Sequence, residues 1–315
     1  MTAAIILAAG QGRRMHSSLP KVAHPVLGRP MILRVLETAS GCGFDRIITV
    51  IGYGREHLAP ILEAGLFETV VQEEQLGTAH AVQCALDVCS ADEYAVLLGD
   101  VPLLRARTVL DLMSVRRQSE AAAAVLTATP PDPAGYGRVV RGRGAEIARI
   151  VEERDATPEE KSIREINTGV MAFDGIALPG LLDAVDRSNS QGEFYLTDVI
   201  SIAARRGRSS VAVPARDWFE VAGVNDSFQL AEASRQQCRR FVEHLLANGV
   251  SFEDPASVWI EDTVTIGTGT RIGRLAKITG RSVVGFDSVI GDCCVIMDAA
   301  LPDRTVLKPF TVMEG

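Results

Sequence analysis

Apolar residues gather in short continuous runs over the first hundred positions, at 3–9, 46–51, 68–72 and 94–98, rich in isoleucine and valine. Between them, at 31–40, 55–64 and 78–89, apolar residues recur with helical spacing. The alternation predicts βαβ units. "IILAA" and "YAVLL" are apolar throughout rather than at every second position, which predicts strands covered on both faces, as in a parallel sheet with helices on each side. After residue 120 the strand-like runs "AAVLTAT", "GRVVR", "ARIVEE" and "NTGVMAF" come close together, so the sheet is predicted to become mixed. Helices are predicted to return at 178–187 and 196–206.

Residues 226–247 place apolar side chains at Phe228, Leu230, Ala231, Phe241, Val242, Leu245 and Leu246, with Asn225 or Asp226 to cap the start and Asn248-Gly249 the end. One long connector helix is predicted. Beyond it the period changes to six: Ile260, Ile266, Ile272, Ile278, Val284, Ile290 and Ile296, with glycine after four of them and small residues at Thr270, Ala276, Ser282, Ser288, Cys294 and Ala300. This is the hexapeptide signature of a β-helix, whose aliphatic residue points to the axis. Seven hexads amount to little more than two coils, a short solenoid whose ends need covering.

The chain has 315 residues, enough for a main domain and an appended unit. We divide it into an α/β domain at 1–225, the connector at 226–250 and the β-helix at 251–315. A formal charge of -8 works against a polyanion held on a broad basic surface, and so against nucleic acid as partner. The run that follows "MT" is too short for a signal-peptide core or a membrane span, which predicts a cytoplasmic protein with no membrane partner. The six cysteines form no C-x-x-C pair and have no nearby histidine, so buried free thiols are expected rather than zinc or disulfides.

The chemistry gathers in "IILAAGQGRRMHSSLPK", residues 5–21. A strand breaks there into a glycine-containing loop with Arg13, Arg14 and Lys21, and exposed N–H groups beside cations suit phosphate oxygens. Walker A would need G-x-x-x-x-G-K-[ST], and "GQGRRM" lacks the last glycine of G-x-G-x-x-G, so neither common fingerprint applies.

"LAAGQGRRM" and "LPKVAHPVLGRPM", followed in order by "EEQLGTAHA", "LGDVPLL", "GYGRVVR", "IVEERDAT", "EINTGVMAF", "QGEFYLTD" and "VAGVND", resemble the nucleoside-diphosphate-sugar pyrophosphorylases. Within them the likeness is to the bacterial N-acetylglucosamine-1-phosphate uridylyltransferases, and it spans most of the chain. The resemblance implies a Rossmann-like mixed α/β sheet of the GT-A-like nucleotidyltransferase kind, a long connector helix and a short left-handed β-helix. It implies UTP and a sugar 1-phosphate as substrates, Mg2+ as cofactor and a trimer formed through the β-helix. Leu7, Ala8, Ala9 and Gly10 would line the uridine nucleotide, with Arg14 and Lys21 neutralising the triphosphate. Gln72, Gly77 and Thr78 would read the uracil, and Gln75, Leu98 and Gly99 would complete the substrate site. Asp100 and Asn225 resemble the magnesium ligands, and Gly137, Glu152 and Asn167 the residues that hold the amino sugar.

These residue types suit uridylyl transfer, in which two anions must be brought together in line. Magnesium prefers oxygen ligands and retains waters, so one carboxylate with one amide oxygen is a workable protein share. The attacking phosphate is already ionised, so no protein nucleophile or obligatory base is needed. Each residue also has a plainer use. An aspartate after a strand can cap a turn, Asn225 can cap the helix that follows, and Glu152 can be one more surface charge in "EERD".

Two departures stand out. The family commonly has tyrosine where this chain has Leu98, which leaves the sugar less determined than the reaction. The bifunctional members continue through a longer β-helix that binds acetyl-CoA and carries a histidine base. Here no histidine follows His244, so acetyltransferase activity is expected to be absent. Two other readings remain at this point: the same chemistry on another sugar or base, and a catalytically weak nucleotide-sugar binding or assembly protein.

Overall fold

The computed structural model describes residues 1–64, 67–144 and 146–315. They form two compact units, one of Met1–His24 with Pro30–Ser227, the other of Pro25–Arg29 with Phe228–Gly315.

Among the described residues, the first unit holds one nine-stranded sheet: β1 (Thr2–Ala8), β2 (Arg46–Ile51), β3 (Glu68–Val71), β4 (Glu93–Leu98), β5 (Ala123–Ala128), β6 (Arg138–Arg141), β7 (Ile147–Val151), β8 (Ile166–Asp174) and β9 (Ser210–Pro214). The order is β9-β5-β8-β4-β1-β2-β3, with β6 beside β8 and β7 beside β6. β3, β2, β1 and β4 are parallel, as the βαβ alternation requires. β8 runs antiparallel to both β4 and β5, and this is the mixed half.

The helices are α1 (Met31–Gly41), α2 (Arg55–Ala64), α3 (Thr78–Leu86), α4 (Ala106–Gln118), α5 (Ala177–Leu182) and α6 (Asp198–Arg205), with further single turns at Pro158–Lys161 and Trp218–Val221. α5 is shorter than the predicted 178–187. After Leu182 the chain turns through i→i+3 bonds such as Val185 N–H to Leu182 carbonyl, and the polar run "DRSNSQG" that follows favours turns over a helix.

Consecutive residues of β1 face opposite sides of the sheet. Ala3 and Ile5 join the core that contains α3, α5 and α6, while Ala4 and Ile6 join the core beneath α1, α2 and α4. Each buried isoleucine contributes roughly 1.5–3 kcal/mol, so both faces of the same strand anchor it. The next strands in sequence extend the sheet from β1 through β2 to β3, and β4 then adds on the other flank. Parallel α/β sheets bind ligands at the carboxyl ends of strands that flank such a reversal. Here those ends are Leu7-Ala8 and Leu98-Gly99.

The second unit is α7 (Ser227–Ala247), the segment 25–29 and a left-handed parallel β-helix. Ser234 Oγ accepts the Leu27 N–H at 3.2 Å, and Cys238 Sγ accepts the Ile260 N–H at 3.4 Å, seating the helix on the first coil. α7 ends at Gly249 in a left-handed turn (φ 85°), with Val250 N–H bonded to Leu245 carbonyl and Gly249 N–H to Leu246 carbonyl.

Eleven short strands among the described residues form three parallel faces of four, four and three strands. That is between three and four coils, more than the two read from the hexads. The Ile260, Ile278 and Ile296 column is fully buried at 18-residue intervals, but the next coil steps from Ile296 to Met313, one residue short. Ala299, not Ala300, therefore takes the buried small-residue place, and the broken period concealed the last coil. Glycine follows the aliphatic residue because a Cβ at Gly285 would lie 2.4 Å from the Asp303 nitrogen of the coil above.

All six cysteines are free, with Cys89, Cys238 and Cys294 buried. Among the described residues no helix is long and apolar enough to cross a membrane.

Candidate active site

The loop after β1 is pinned on both sides. Leu7 carbonyl accepts the Gly99 N–H at 2.9 Å, and Ala9 carbonyl accepts the Tyr53 N–H at 3.2 Å. Ala8 and Ala9 are buried, Leu7 is half-buried and Gly10 is exposed with open space around it. Gly12 is a true conformational requirement: its φ is 60°, and a Cβ there would lie 2.4 Å from the Lys21 Cβ. This close approach folds Lys21 back toward the sheet, while Arg14 stays exposed on the turn at 13–15. The side chain of Arg13 lies outside the described residues.

Lys21 Nζ forms an ion pair with Asp100 Oδ2 and donates to Asn225 Oδ1 at 3.1 Å. The pair is largely removed from solvent, at 15% and 16% side-chain exposure. Asp100 lies two residues past the end of β4, and its carbonyl accepts the Val224 N–H at 2.8 Å, which brings the segment before Asn225 alongside. Two hard oxygen donors, 125 positions apart in sequence, thus converge on one cationic centre. The ammonium stands where a cation is needed to satisfy a carboxylate and an amide oxygen. That donor set fits a divalent ion such as magnesium that takes its remaining ligands from water and phosphate. Among the described residues no cluster of three or more His, Cys, Asp or Glu offers an alternative metal site.

On the β3 side, Gln72 is 3% exposed, and its Nε2 lies 3.0 Å from both the Gly77 carbonyl and His80 Nδ1. Gln75 Nε2 donates to the Gln72 carbonyl at 3.2 Å. Gly77 has a φ of 121°, and a Cβ there would lie 2.4 Å from the Phe194 carbonyl oxygen. Thr78 Oγ1 accepts the Leu196 N–H at 2.9 Å, so the "QGEFYLTD" segment is stitched onto the start of α3. Gly52 connects this cluster with the first loop, because a Cβ there would lie 2.9 Å from both Ala9 Cβ and Gln75 Nε2.

The third cluster lies on β6, β7 and β8. Asn167 N–H donates to Gly137 carbonyl at 2.8 Å, and a Cβ on Gly137 would lie 3.4 Å from both Glu152 carboxylate oxygens. The register of β8 slips between Asn167 and Met171, where Gly169 adopts a φ of 82° and donates its N–H to Asn167 Oδ1 at 2.9 Å. The bulge therefore aims Asn167. Leu98 packs at this bulge: a Cβ on Gly169 would lie 2.3 Å from Leu98 Cδ1. Burial pushes the Glu152 carboxyl above its ordinary range. The Thr197 hydroxyl, donating to Oε1 at 3.0 Å, opposes the rise, and Asp198 and Asp155 add to it.

A cleft of about 550 Å³ joins Gly12, Arg14, Lys21 and Asn225 to Glu152 and Gln191. Arg14, Lys21 and Glu152 therefore share one cavity, while Gln72, Gly77, Thr78, Asp100, Gly137 and Asn167 do not line it. Sequence reasoning missed Thr197 and Gln191. The block "QGEFYLTD" contained them, but nothing in its spacing set them apart.

Residues 4–165 match the MobA-like NTP transferase domain. The chain is 43% identical to the Bifunctional protein GlmU of Pelotomaculum thermopropionicum, covering 93% of this chain and 70% of that protein. It is 44% identical to the Bifunctional protein GlmU of Marinobacter nauticus and 39% identical to that of Enterococcus faecalis, in each case over 99% of this chain and 68% of the relative. Among solved structures, a UDP-glucose pyrophosphorylase complexed with UDP-glucose superposes with a TM-score of 0.63 at 18% identity, covering 76% of this chain and 99% of that one. At that identity the likeness is one of fold.

Proposed function

The chain belongs to the GlmU family and carries its MobA-like NTP transferase domain, and from that premise we propose that it converts UTP and N-acetylglucosamine 1-phosphate to UDP-N-acetylglucosamine and pyrophosphate, with Mg2+ as cofactor. The observation that carries the proposal is the convergence of Asp100 and Asn225 on Lys21, which with Asn225 lines a cleft that also reaches Arg14 and Glu152.

In this reading Leu7, Ala8, Ala9 and Gly10 cradle the nucleotide at the sheet's reversal point, beside Leu98 and Gly99. Gln72, Gln75, Gly77 and Thr78 present amide and backbone edges to the uracil. Gly137, Glu152 and Asn167 hold the amino sugar, Glu152 accepting from its hydroxyls. A phosphate oxygen of the sugar phosphate attacks the α-phosphorus of UTP, a new P–O bond forms, and the bond to pyrophosphate breaks. Arg14 and Lys21 neutralise the reacting anions, which is most of the catalytic task when the nucleophile is already ionised. Asp100 and Asn225 would hold Mg2+, which when bound supplies further charge neutralisation to the phosphate oxygens. Asp100, Asn225, Lys21 and Arg14 together favour catalysis over mere binding, since a binding protein has no need of the whole set.

Pyrophosphate release from UTP, Mg2+ and a panel of sugar 1-phosphates tests the proposal. N-acetylglucosamine 1-phosphate is expected to give the highest kcat/KM, and release with no member of the panel would overturn the reading. One observation favours a second reading within the same chemistry. Leu98 packs at the bulge that aims Asn167, so another sugar could lead the panel.

We also infer that the chain works in the cytoplasm, where UTP is available, and that it forms a trimer through the β-helix. Val306, Phe310 and Val312 support the trimer, being 70%, 77% and 61% exposed on that unit, an apolar surface suited to association. A monomer by light scattering at micromolar concentration would refute it.

A further inference from the structure

Gln72 follows directly on β3, and its own N–H, donating to the Ile51 carbonyl at 2.8 Å, fixes its backbone there. The residue is buried, and both hydrogens of its side-chain amide have acceptors, because Nε2 lies 3.0 Å from the Gly77 carbonyl and 3.0 Å from His80 Nδ1. A peptide carbonyl only accepts, so the nitrogen end of the amide is the end turned toward Gly77 and His80. His80 Nδ1 is then the bare ring nitrogen and Nε2 the protonated one. Nε2 faces Cys84 Sγ, 3.8 Å away and one turn further along α3. Burial, aided by Asp87, pushes the Cys84 thiol up, so it meets the half-buried imidazole as a neutral group. The Gln72 amide oxygen is left turned away from both partners, and it accepts no hydrogen bond from the described residues.

We propose that His80 is a positioning residue that sets the base preference of the site: its bare Nδ1, together with the Gly77 carbonyl, holds the Gln72 amide with its oxygen outward, so that the base has to bring a donor. The role rests on the reading of Gln72 as a residue that faces the uracil. Uracil brings such a donor, its N3–H, whereas cytosine has a bare N3 in the same place. With the oxygen outward the amide accepts from uracil and meets the cytosine N3 lone pair as a second acceptor. Turned over, the amide would suit cytosine, but its oxygen would then stand against the Gly77 carbonyl and the Nδ1 lone pair, and two buried hydrogen bonds would be lost. A polar site held in one orientation in this way rejects an analogue that lacks the matching group. His80 acts through Gln72 and takes no part in the transfer step.

His80→Leu removes the acceptor, and His80→Asn returns one, because its Oδ1 branches from the same Cγ as Nδ1. With N-acetylglucosamine 1-phosphate as acceptor and pyrophosphate release as the readout, the ratio of kcat/KM for UTP to that for CTP is expected to fall by about three- to tenfold in His80→Leu, the worth of one neutral hydrogen bond. It should return to within about twofold of the parent in His80→Asn, as the same hydrogen bond is restored. The loss should fall on KM for UTP and leave kcat within about twofold, because the base is held alike in ground and transition states. Gln72→Ala in the same assay separates the two levels. If it leaves the ratio unchanged, the base-reading assignment falls and the positioning role falls with it. If Gln72→Ala lowers the ratio while His80→Leu does not, or if His80→Asn recovers nothing, only the positioning role is overturned. Release with neither nucleotide by the parent would overturn the proposed function and this role together. Should His80→Leu not fold, His80→Phe carries the same test with the same outcomes.

Discussion

Lys21 and Asn225, 204 positions apart, meet through one hydrogen bond, Nζ to Oδ1 at 3.1 Å, and the same ammonium also satisfies Asp100. Three segments that share no local sequence relationship, the loop after β1, the end of β4 and the chain before α7, are joined at this point. The Lys21 ammonium balances the Asp100 carboxylate there.

Replacing Lys21 with Met removes that charge and keeps much of the stem. Turnover should fall by at least about two orders of magnitude, as for loss of a main charge-stabilising element. The nucleotide-free variant should also gain more thermal stability from MgCl2 than the parent does, because its two oxygens no longer have an ammonium between them. Calorimetric scans with and without the salt decide this, and equal gains in both proteins would argue against a shared cation site.

Asp100→Ala should cut turnover by at least about two orders of magnitude, since it removes the carboxylate that pairs with Lys21. Near-normal turnover with N-acetylglucosamine 1-phosphate would remove Asp100 from the reaction.

Glu152 gives a pH prediction with a definite sign. Burial, aided by Asp198 and Asp155, holds its carboxyl above the usual glutamate range. The folded state therefore binds this proton more tightly than the unfolded chain, and the associated stability is present below the ordinary glutamate pKa. It is lost as pH rises through the raised value. Glu152→Gln should flatten that loss and leave the variant more stable than the parent at neutral pH. At the same time KM for the sugar phosphate should rise by roughly tenfold, as expected for losing a charged hydrogen-bond acceptor. Denaturant melts across the acidic range would show the first effect and steady-state kinetics the second. A parent whose stability rises through that window would contradict the assignment.

Gly169→Ala tests the bulge. Its left-handed backbone and the 2.3 Å approach to Leu98 Cδ1 should together cost about 1–3 kcal/mol. Pairing it with Leu98→Ala should recover the steric share but not the backbone share, a coupling that a double-mutant cycle in urea would measure. Strict additivity would mean that the two side chains do not compete for the same space.

Much of the architecture was readable because periodicity reports burial. β1 is buried on both faces and reads as a continuous apolar run, while the β-helix repeats one inward aliphatic every six residues. Reading failed where the period broke, at the missing residue before Leu301, and where polar turn formers cut α5 short after Leu182. The site was legible in composition and not in space. The cations and glycines after β1 suggested phosphate binding, but no local pattern links Asp100 to Asn225, since the fold alone makes them neighbours. Thr197 stayed hidden for a related reason: it acts through Glu152, a residue remote in sequence.

The short coil at the far end of the β-helix has an engineering corollary. Ladder pairing resumes at Ala300-Leu301 although the corner at 297–299 has lost a residue, so that corner sets spacing without governing the inward column. Corners of this kind are natural ports for grafted peptides. A loop inserted there would leave the stacked isoleucines in place and the rest of the scaffold undisturbed.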